Sequence, residues 1–570
     1  MPVYQVLEKQ VGWYEASLPS QERRSRGHFS TPPLLVERML DACGYIPNSD
    51  LRSIRVLDPA CGSGNFLTAA ARRLTSSAIN TNVPPRELAS LIQRNIWGFD
   101  PDPVSCFLAE MQLSAAVTNA INTISQANHT NTPPWHLHQA DALTLPWQEP
   151  CIDLFLANPP YLAAKNTDLS AYRSTHQHGQ ADSYLLFLNL GLQIVRSCGW
   201  LALVLPDPLL ARANASNERA RLLKAFTIHH LWHLAGVFTA QVGAVVIIAQ
   251  KNPPHSQHHV AWKRERWKPS IPSSHSSPDP TISQTIFQRQ PRSELRYLLG
   301  ASQATLIERL QTCLSETPAS PSHFAPLDTF VSICRGEELG RKNPSLIHQS
   351  TLYPTEPPPY VHSRGDALCS PADPSPSNPT IPPSNSRGNE NPYHQQYYPI
   401  LRGGKDTRPY ITPSADWWIA REAIAKPLER YLSPKLLVVK STDRLQATLD
   451  LEGHVALQTL YILHPREQNA REDDLYFFLA LLNSRLLRHY VYVLHTAYKW
   501  VQPQIEQRVL TRLPIPVVTT SAKKDIIERA KLLACACSAQ GPVVEWKTDI
   551  QNMYEELERA ISALYHAIIC

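Results

Sequence analysis

The chain has 570 residues, a net charge of +5 and 43% hydrophobic residues, so a packed core is within reach and a disordered chain is excluded. At roughly 100–200 residues per domain, the length predicts two to four domains. Fifty prolines against 20 glycines exceed the typical proline share of about 5%, and they concentrate in two stretches that mark loops and linkers.

After an N-terminal extension (1–27), residues 28–250 alternate short apolar runs with segments of helical periodicity. Helices are expected at 33–43, 65–77, 103–120 and 183–196, and strands at 54–57, 96–99, 136–139, 153–157, 200–205, 231–235 and 244–250. Strands that alternate with helices predict a doubly wound α/β domain with a mostly parallel sheet of seven strands. The runs are apolar throughout rather than alternating, as expected when both faces of a sheet are covered. Composition then turns Pro/Ser/His-rich at 251–293, which reads as a linker, with a helix at 302–314 completing the stretch to 319. A second domain is expected at 320–515, with a Pro/Ser/Asn-rich loop insertion at about 367–392. The tail from 516 to 570 reads as two amphipathic helices, 522–536 and 545–566.

Eleven cysteines show no repeated spacing, and Cys535 and Cys537 lack a second pair to complete a zinc site. Reduced thiols, no metal and a cytoplasmic location are the expectation. No apolar run approaches the roughly 20 residues of a membrane helix, and Met1-Pro2-Val3-Tyr4 begins no signal pattern, so no membrane association is expected.

The chemistry concentrates at expected strand ends. Asp58-Pro59-Ala60-Cys61-Gly62-Ser63-Gly64-Asn65-Phe66 follows a strand and opens a helix. Its glycines let the backbone approach a ligand closely. Asp58 ahead of them disfavours a phosphate and favours an amine-bearing ligand such as a methionine moiety. Asp100, followed by Pro101 at the end of the next strand, is placed to accept two ribose hydroxyls. Asp141, followed by Ala142 after the third, is placed to accept from an adenine amino group. Any one of these aspartates alone reads more readily as a turn or a helix cap; three on one rim point to a nucleoside cofactor, S-adenosylmethionine. Thr31-Pro32-Pro33 taken alone is a helix start.

Asn158-Pro159-Pro160-Tyr161 follows the strand 153–157. In isolation it marks a stiff turn. An exocyclic aryl amine, however, is a poor nucleophile because its lone pair is delocalised into the ring. The Asn158 side-chain oxygen and the Pro159 carbonyl can each accept an amine N–H and turn that nitrogen toward tetrahedral geometry. Pro159 and Pro160 fix both acceptors before reaction, and Tyr161 offers a stacking face. A base taken out of a duplex needs a second aromatic wall, for which Phe238 is a candidate with a core role equally open.

This set resembles the gamma-class DNA adenine-N6 methyltransferases of restriction–modification systems, in which Thr-Pro-Pro, Asp-Pro-x-Cys-Gly-Ser-Gly and Asn-Pro-Pro-Tyr precede a C-terminal target-recognition domain. The resemblance implies that Thr31, Asp58 and the loop Ala60, Cys61, Gly62, Gly64 and Phe66 hold the methionine moiety. It implies that Asp100 and Pro101 serve the ribose, Asp141 and Ala142 the adenine, Asn158–Tyr161 the target, and that Phe238 stacks opposite Tyr161. Double-stranded DNA is the implied partner, with a separately encoded restriction endonuclease and a monomeric enzyme. Ser30 stands where the family often has Tyr. Basic and aromatic residues interleave in the C-terminal half, including Arg402, Lys405, Trp417, Tyr498, Lys499 and Trp500, as phosphate contact and groove reading would require. Open alternatives are cytosine-N4 transfer and the glutamine or RNA-guanine methyltransferases that share Asn-Pro-Pro-Tyr. A fused nuclease is disfavoured, because no acidic-x-Lys cluster is evident. A non-catalytic DNA-binding subunit is disfavoured too, because both motifs are intact.

Overall fold

The computed structural model describes residues 30–124, 135–147, 149–162, 169, 172, 182–238, 243–268, 278–299, 307, 309–310, 323–340, 342–352, 397–466, 472–500, 503–540 and 546–569. The expected extension 1–27, the insertion 367–392 and most of the expected helix 302–314 lie outside them. The chain divides into two compact units: Met1–Ile307 with Val493–Pro503, and Glu308–Tyr492 with Gln504–Cys570.

The first unit runs α1 (Pro33–Ala42), β1 (Val56–Asp58), α2 (Asn65–Asn80), α3 (Pro85–Asn95), β2 (Ile96–Asp100), α4 (Pro103–Ile124), β3 (His136–Gln139), β4 (Ile152–Ala157), α5 (Ser183–Ile194), β5 (Val195–Pro206), α6 (Ser216–Ala225), β6 (Thr227–Ala235), β7 (Ala244–Gln250), β8 (His259–Arg266) and β9 (Thr281–Ser283). The sheet order is β3-β2-β1-β4-β5-β7-β6-β8-β9. Strands β1 to β5 pair in parallel, and β7 enters antiparallel between β5 and β6. From β1 the chain winds outward to β2 and β3, then returns to β4 on the other side of β1. That reversal opens a crevice beyond the C-terminal ends of β1 and β4, where ligands bind in such sheets. The core follows from the sequence: Val245, Val246, Ile247, Ile248 and Ala249 of β7 are fully buried, as is the apolar run of β4 from Phe155 to Ala157.

The expected linker is corrected here. Part of 251–293 folds as β8 and β9 and widens the sheet from seven strands to nine. Only Val260 of β8 is fully buried among His259-Val260-Ala261-Trp262-Lys263-Arg264-Glu265-Arg266. A strand near the sheet margin needs no continuous apolar run, so its composition hides it.

The second unit contains β10 (Phe324–Pro326), β11 (Val331–Arg335), β12 (Leu346–His348), β13 (Tyr397–Leu401), β14 (Trp417–Ala420), β15 (Lys435–Val439), β16 (Ala447–Asp450), β17 (Val455–Ala456), β18 (Leu460–Pro465), α7 (Glu472–Asn483), α8 (Arg485–Val491), β19 (Pro514–Pro516), α9 (Thr520–Gln540) and α10 (Thr548–Ile569). Two four-stranded sheets, β11-β18-β15-β16 and β12-β14-β13-β17, share a core that includes Ile400, Ile419, Leu437 and Ile462. Inside it Lys435 and Asp450 form a fully buried ion pair at 2.5 Å. The two tail helices belong to this unit: the Glu558 carboxylate of α10 accepts the Arg485 N–H at 3.0 Å, and the Tyr565 hydroxyl donates to the Pro514 carbonyl at 2.8 Å. Among the described residues no helix is long and apolar enough to cross a membrane.

Candidate active site

β1 ends in Asp58, whose side chain is 1% exposed. Its carboxylate accepts the Ala60 N–H at 3.1 Å. Burial raises its pKa from 3.8 to about 8, with the neighbouring Asp100 adding to the rise. A buried carboxylate with so little compensation is suited to a cationic ligand. The glycine loop follows. Gly62 (φ +51) and Gly64 (φ +90) both adopt the left-handed region, and Gly64 caps α2. A Cβ on Gly64 would lie 2.9 Å from the Ala109 Cβ, whereas one on Gly62 would meet nothing within 4 Å. The loop is therefore packed from behind and open in front.

Asp100 ends β2 and reaches back to the same loop. One of its oxygens accepts the Gly62 N–H at 3.0 Å and the other the Asp102 N–H at 2.9 Å. The Cys61 N–H donates to the Phe99 carbonyl at 2.9 Å, and burial pushes the Cys61 thiol well up. Phe66 is buried in the core below the loop, while Pro101 is exposed. The Thr31 carbonyl accepts from the Asn65 side chain at 2.9 Å, which ties the Thr-Pro-Pro element to the start of α2. The Thr31 hydroxyl is buried without a hydrogen-bond partner. An orphaned hydroxyl and a carboxylate with a single backbone N–H donor beside an open glycine loop fit an amine-bearing cofactor.

Asp141 caps the short turn Ala142–Thr144 by accepting the Leu143 N–H at 3.0 Å. Its second oxygen accepts the Tyr172 hydroxyl at 2.5 Å. Ala142 beside it is fully buried.

Asn158-Pro159-Pro160-Tyr161 leaves the C-terminal end of β4, next to β1 in the sheet. The Tyr161 hydroxyl lies 3.1 Å from the Asn158 Oδ1 and 3.1 Å from the Val204 carbonyl of β5. The Tyr161 hydroxyl thus holds the Asn158 oxygen. Burial, and then the charge of Asp207, drive its phenol pKa up. The Phe238 ring lies 6.3 Å from the Tyr161 ring but at 78°, edge to face rather than parallel. Ser183, at the start of α5, clasps the loop. Its hydroxyl donates to the Pro160 carbonyl and accepts the Leu162 N–H at 2.9 Å. Neither Ser183 nor Asp207 stands in a motif, so sequence reading passes over both.

The fold is that of the Rossmann-like S-adenosylmethionine-dependent methyltransferases, joined to a C-terminal α+β specificity unit. Residues 13–266 match the N-6 DNA Methylase family, and residues 398–515 match the TaqI-like C-terminal specificity domain. Type II methyltransferase M.BstVI of Geobacillus stearothermophilus is 25% identical over 250 residues, 40% of this chain and 43% of that protein. Type II methyltransferase M.VspI of Vibrio sp. (strain 343) is 23% identical over 304 residues, 52% of this chain and 63% of that protein. The matched part thus spans about half the length of these relatives. Among solved structures, the type IIL restriction-modification enzyme MmeI in complex with DNA superimposes with a TM-score of 0.61 at 12% identity, covering 98% of this chain and 78% of that one.

Proposed function

We propose that this chain is a sequence-specific DNA methyltransferase. It transfers the methyl group of S-adenosylmethionine to N6 of an adenine flipped out of duplex DNA, as the modification enzyme of a restriction–modification system. A separately encoded endonuclease is its partner in that system, and the enzyme acts as a monomer. The observation that carries the reading is the Asn158 oxygen, held by Tyr161 at the end of β4, beside the acidic rim formed by Asp58 and Asp100 on the neighbouring strands.

Thr31, Asp58 and the glycine loop would hold the methionine part of the cofactor, Asp100 the ribose and Asp141 the adenine. When bound, the cofactor supplies a methyl group already activated by its sulfonium. The protein's part is to position the amine. The Asn158 Oδ1 and the Pro159 carbonyl accept its two N–H groups and free the lone pair. Once the Asn158 oxygen takes an amine N–H, the Tyr161 hydroxyl keeps the Val204 carbonyl as acceptor at 3.1 Å, so no buried donor is stranded. The exocyclic N6 attacks in line, and the methylated amine releases its extra proton to solvent. Preorganised acceptors and in-line geometry supply the acceleration without a dedicated base.

The test is modification-sensitive sequencing of DNA from a methylation-free bacterial host that expresses the chain. N6-methyladenine confined to one short motif supports reaction, base and specificity together. N4-methylcytosine would move the base assignment. Unmodified DNA, with a chain that binds S-adenosylmethionine, would reject DNA as the substrate.

A further inference from the structure

The basic-aromatic run Tyr498-Lys499-Trp500 reads in sequence as a DNA-contacting surface, but the structure uses two of its rings otherwise. It lies in Val493–Pro503, a segment of the first unit that is flanked on both sides by chain of the second. Tyr498 is 1% exposed and packs edge-on against Tyr297, centroids 5.4 Å apart. The Trp500 indole meets the His233 ring edge to face at 5.2 Å, and the Arg264 guanidinium lies 3.9 Å over its face.

These contacts converge on Asp207. It follows β5 directly and is 8% exposed. Its Oδ2 accepts the Trp500 backbone N–H at 3.1 Å and lies 3.8 Å from the His233 Nε2. His233 is itself fully buried, with its Nδ1 2.6 Å from the Tyr297 hydroxyl. The Asp207 N–H donates to the Gly243 carbonyl at 2.9 Å. Gly243 has no room for a side chain, since a Cβ there would lie 2.5 Å from the Asp207 Oδ2. The end of β5 thus serves two neighbours. Val204 receives the Tyr161 hydroxyl of the target loop, and Asp207, three residues on, receives Trp500.

A strap needed only for stability could rest on apolar contacts. Burying a carboxylate is costly unless it is well paired, and this one sits beside the loop whose geometry sets the reaction. We infer that Asp207 is a positioning residue for methyl transfer: it docks the Trp500 strap onto the end of β5 and so fixes the strand end against which Tyr161 and Asn158 are held. This rests on the methyltransferase reading above.

Three variants of the full-length chain test it. Asp207→Ala removes the acceptor, Gly243→Ala displaces the carboxylate without changing its charge, and Asp207→Asn keeps an oxygen for the Trp500 N–H. Both alanine variants should lower kcat on duplex DNA by about 10- to 100-fold, the scale of a misplacement near 1 Å. Affinity for S-adenosylmethionine should stay within about twofold, since the cofactor rim on β1 and β2 is untouched, and Asp207→Asn should recover most of the loss. Amide hydrogen exchange provides a readout that needs no turnover: both alanine variants should lose protection at Tyr161 and Leu162 as well as at Trp500. A wild-type chain that methylates nothing would defeat the methyltransferase reading, and the exchange result would still decide the coupling. Unchanged kcat in both alanine variants overturns the inference. So does unchanged protection at Tyr161 and Leu162, or a parallel loss of kcat and cofactor affinity that Asp207→Asn fails to rescue.

Discussion

With the cofactor's ammonium at Asp58, as proposed, cofactor binding becomes a function of pH in a direction set by that carboxyl's surroundings. Its carboxyl is held at a pKa of about 8 by burial, with the Asp100 charge contributing and only the Ala60 N–H opposing. A free α-amino group titrates near 7.7–8.0. The bound pair is carboxylate with ammonium, so affinity follows the product of the two charged fractions. Near pH 6 about one carboxyl in 100 is ionised while nearly all the ammonium is charged; near pH 8 about half of each is. The product rises roughly 25-fold between those conditions and falls again above them. Titration calorimetry of S-adenosylmethionine across about pH 6–10 should therefore give a bell with its maximum near pH 8, and Asp58→Asn should lose the rising limb. In the ligand-free protein the same raised pKa means that stability is full below 3.8 and declines as pH climbs through about 8. An affinity that is flat with pH, or an Asp58→Asn profile that keeps the rising limb, would refute the placement of the ammonium at Asp58.

At the target loop, Asn158→Ala should abolish methyl transfer with cofactor affinity near normal, as read by tritiated methyl incorporation beside equilibrium binding. Tyr161→Ala should cost less than Asn158→Ala, and Tyr161→Phe less again, because it loses the hydroxyl on Asn158 and keeps the ring; the reverse order would reject this division of roles. Gly64→Ala should destabilise by about 2–6 kcal/mol, adding left-handed strain of about 1–3 kcal/mol to overpacking of about 1–3 kcal/mol against Ala109; denaturant unfolding measures it. Asp450→Ala should cost about 3–5 kcal/mol by leaving the Lys435 ammonium buried and unpaired, while replacing both partners with apolar residues should recover most of the loss. Burial pushes Asp450 up, but the His454 hydrogen bond and the Lys435 charge outweigh it and hold the group at about 2 against 3.8. Its contribution to stability is therefore present above about pH 4 and lost as pH falls through 2.

Much of the first unit was legible because its central strands are buried on both faces. Apolar runs such as Ala244–Gln250 have no other use, and the Asp58, Asp100 and Asn158 motifs sit at strand ends where the chain must turn. What escaped had no such signature. β8 is half-exposed and charged, so its residues resemble the prolines and serines around it more than they resemble β7. Ser183 and Asp207 are single polar residues whose roles come from partners far away in sequence, Pro160 for one and Trp500 for the other. Tyr498 carries the composition of a DNA-binding surface yet is buried; composition reports what a side chain can do, and packing decides which option is used. The approach of Phe238 to Tyr161 is legible only as a possibility in sequence, and its 78° tilt not at all.

The interleaving of Val493–Pro503 into the first unit changes how this chain can be taken apart. A fragment cut near residue 307 would end where the first unit's main stretch ends, but it would lack Tyr498 and Trp500 and leave His233 and Asp207 bare to water. A specificity half transplanted from a relative as one block after residue 307 would import a foreign strap and set it against native Asp207, Arg264 and Tyr297. Exchanges of the second unit should therefore be spliced on either side of Val493–Pro503, so that this short stretch stays with the first unit it was shaped to fit.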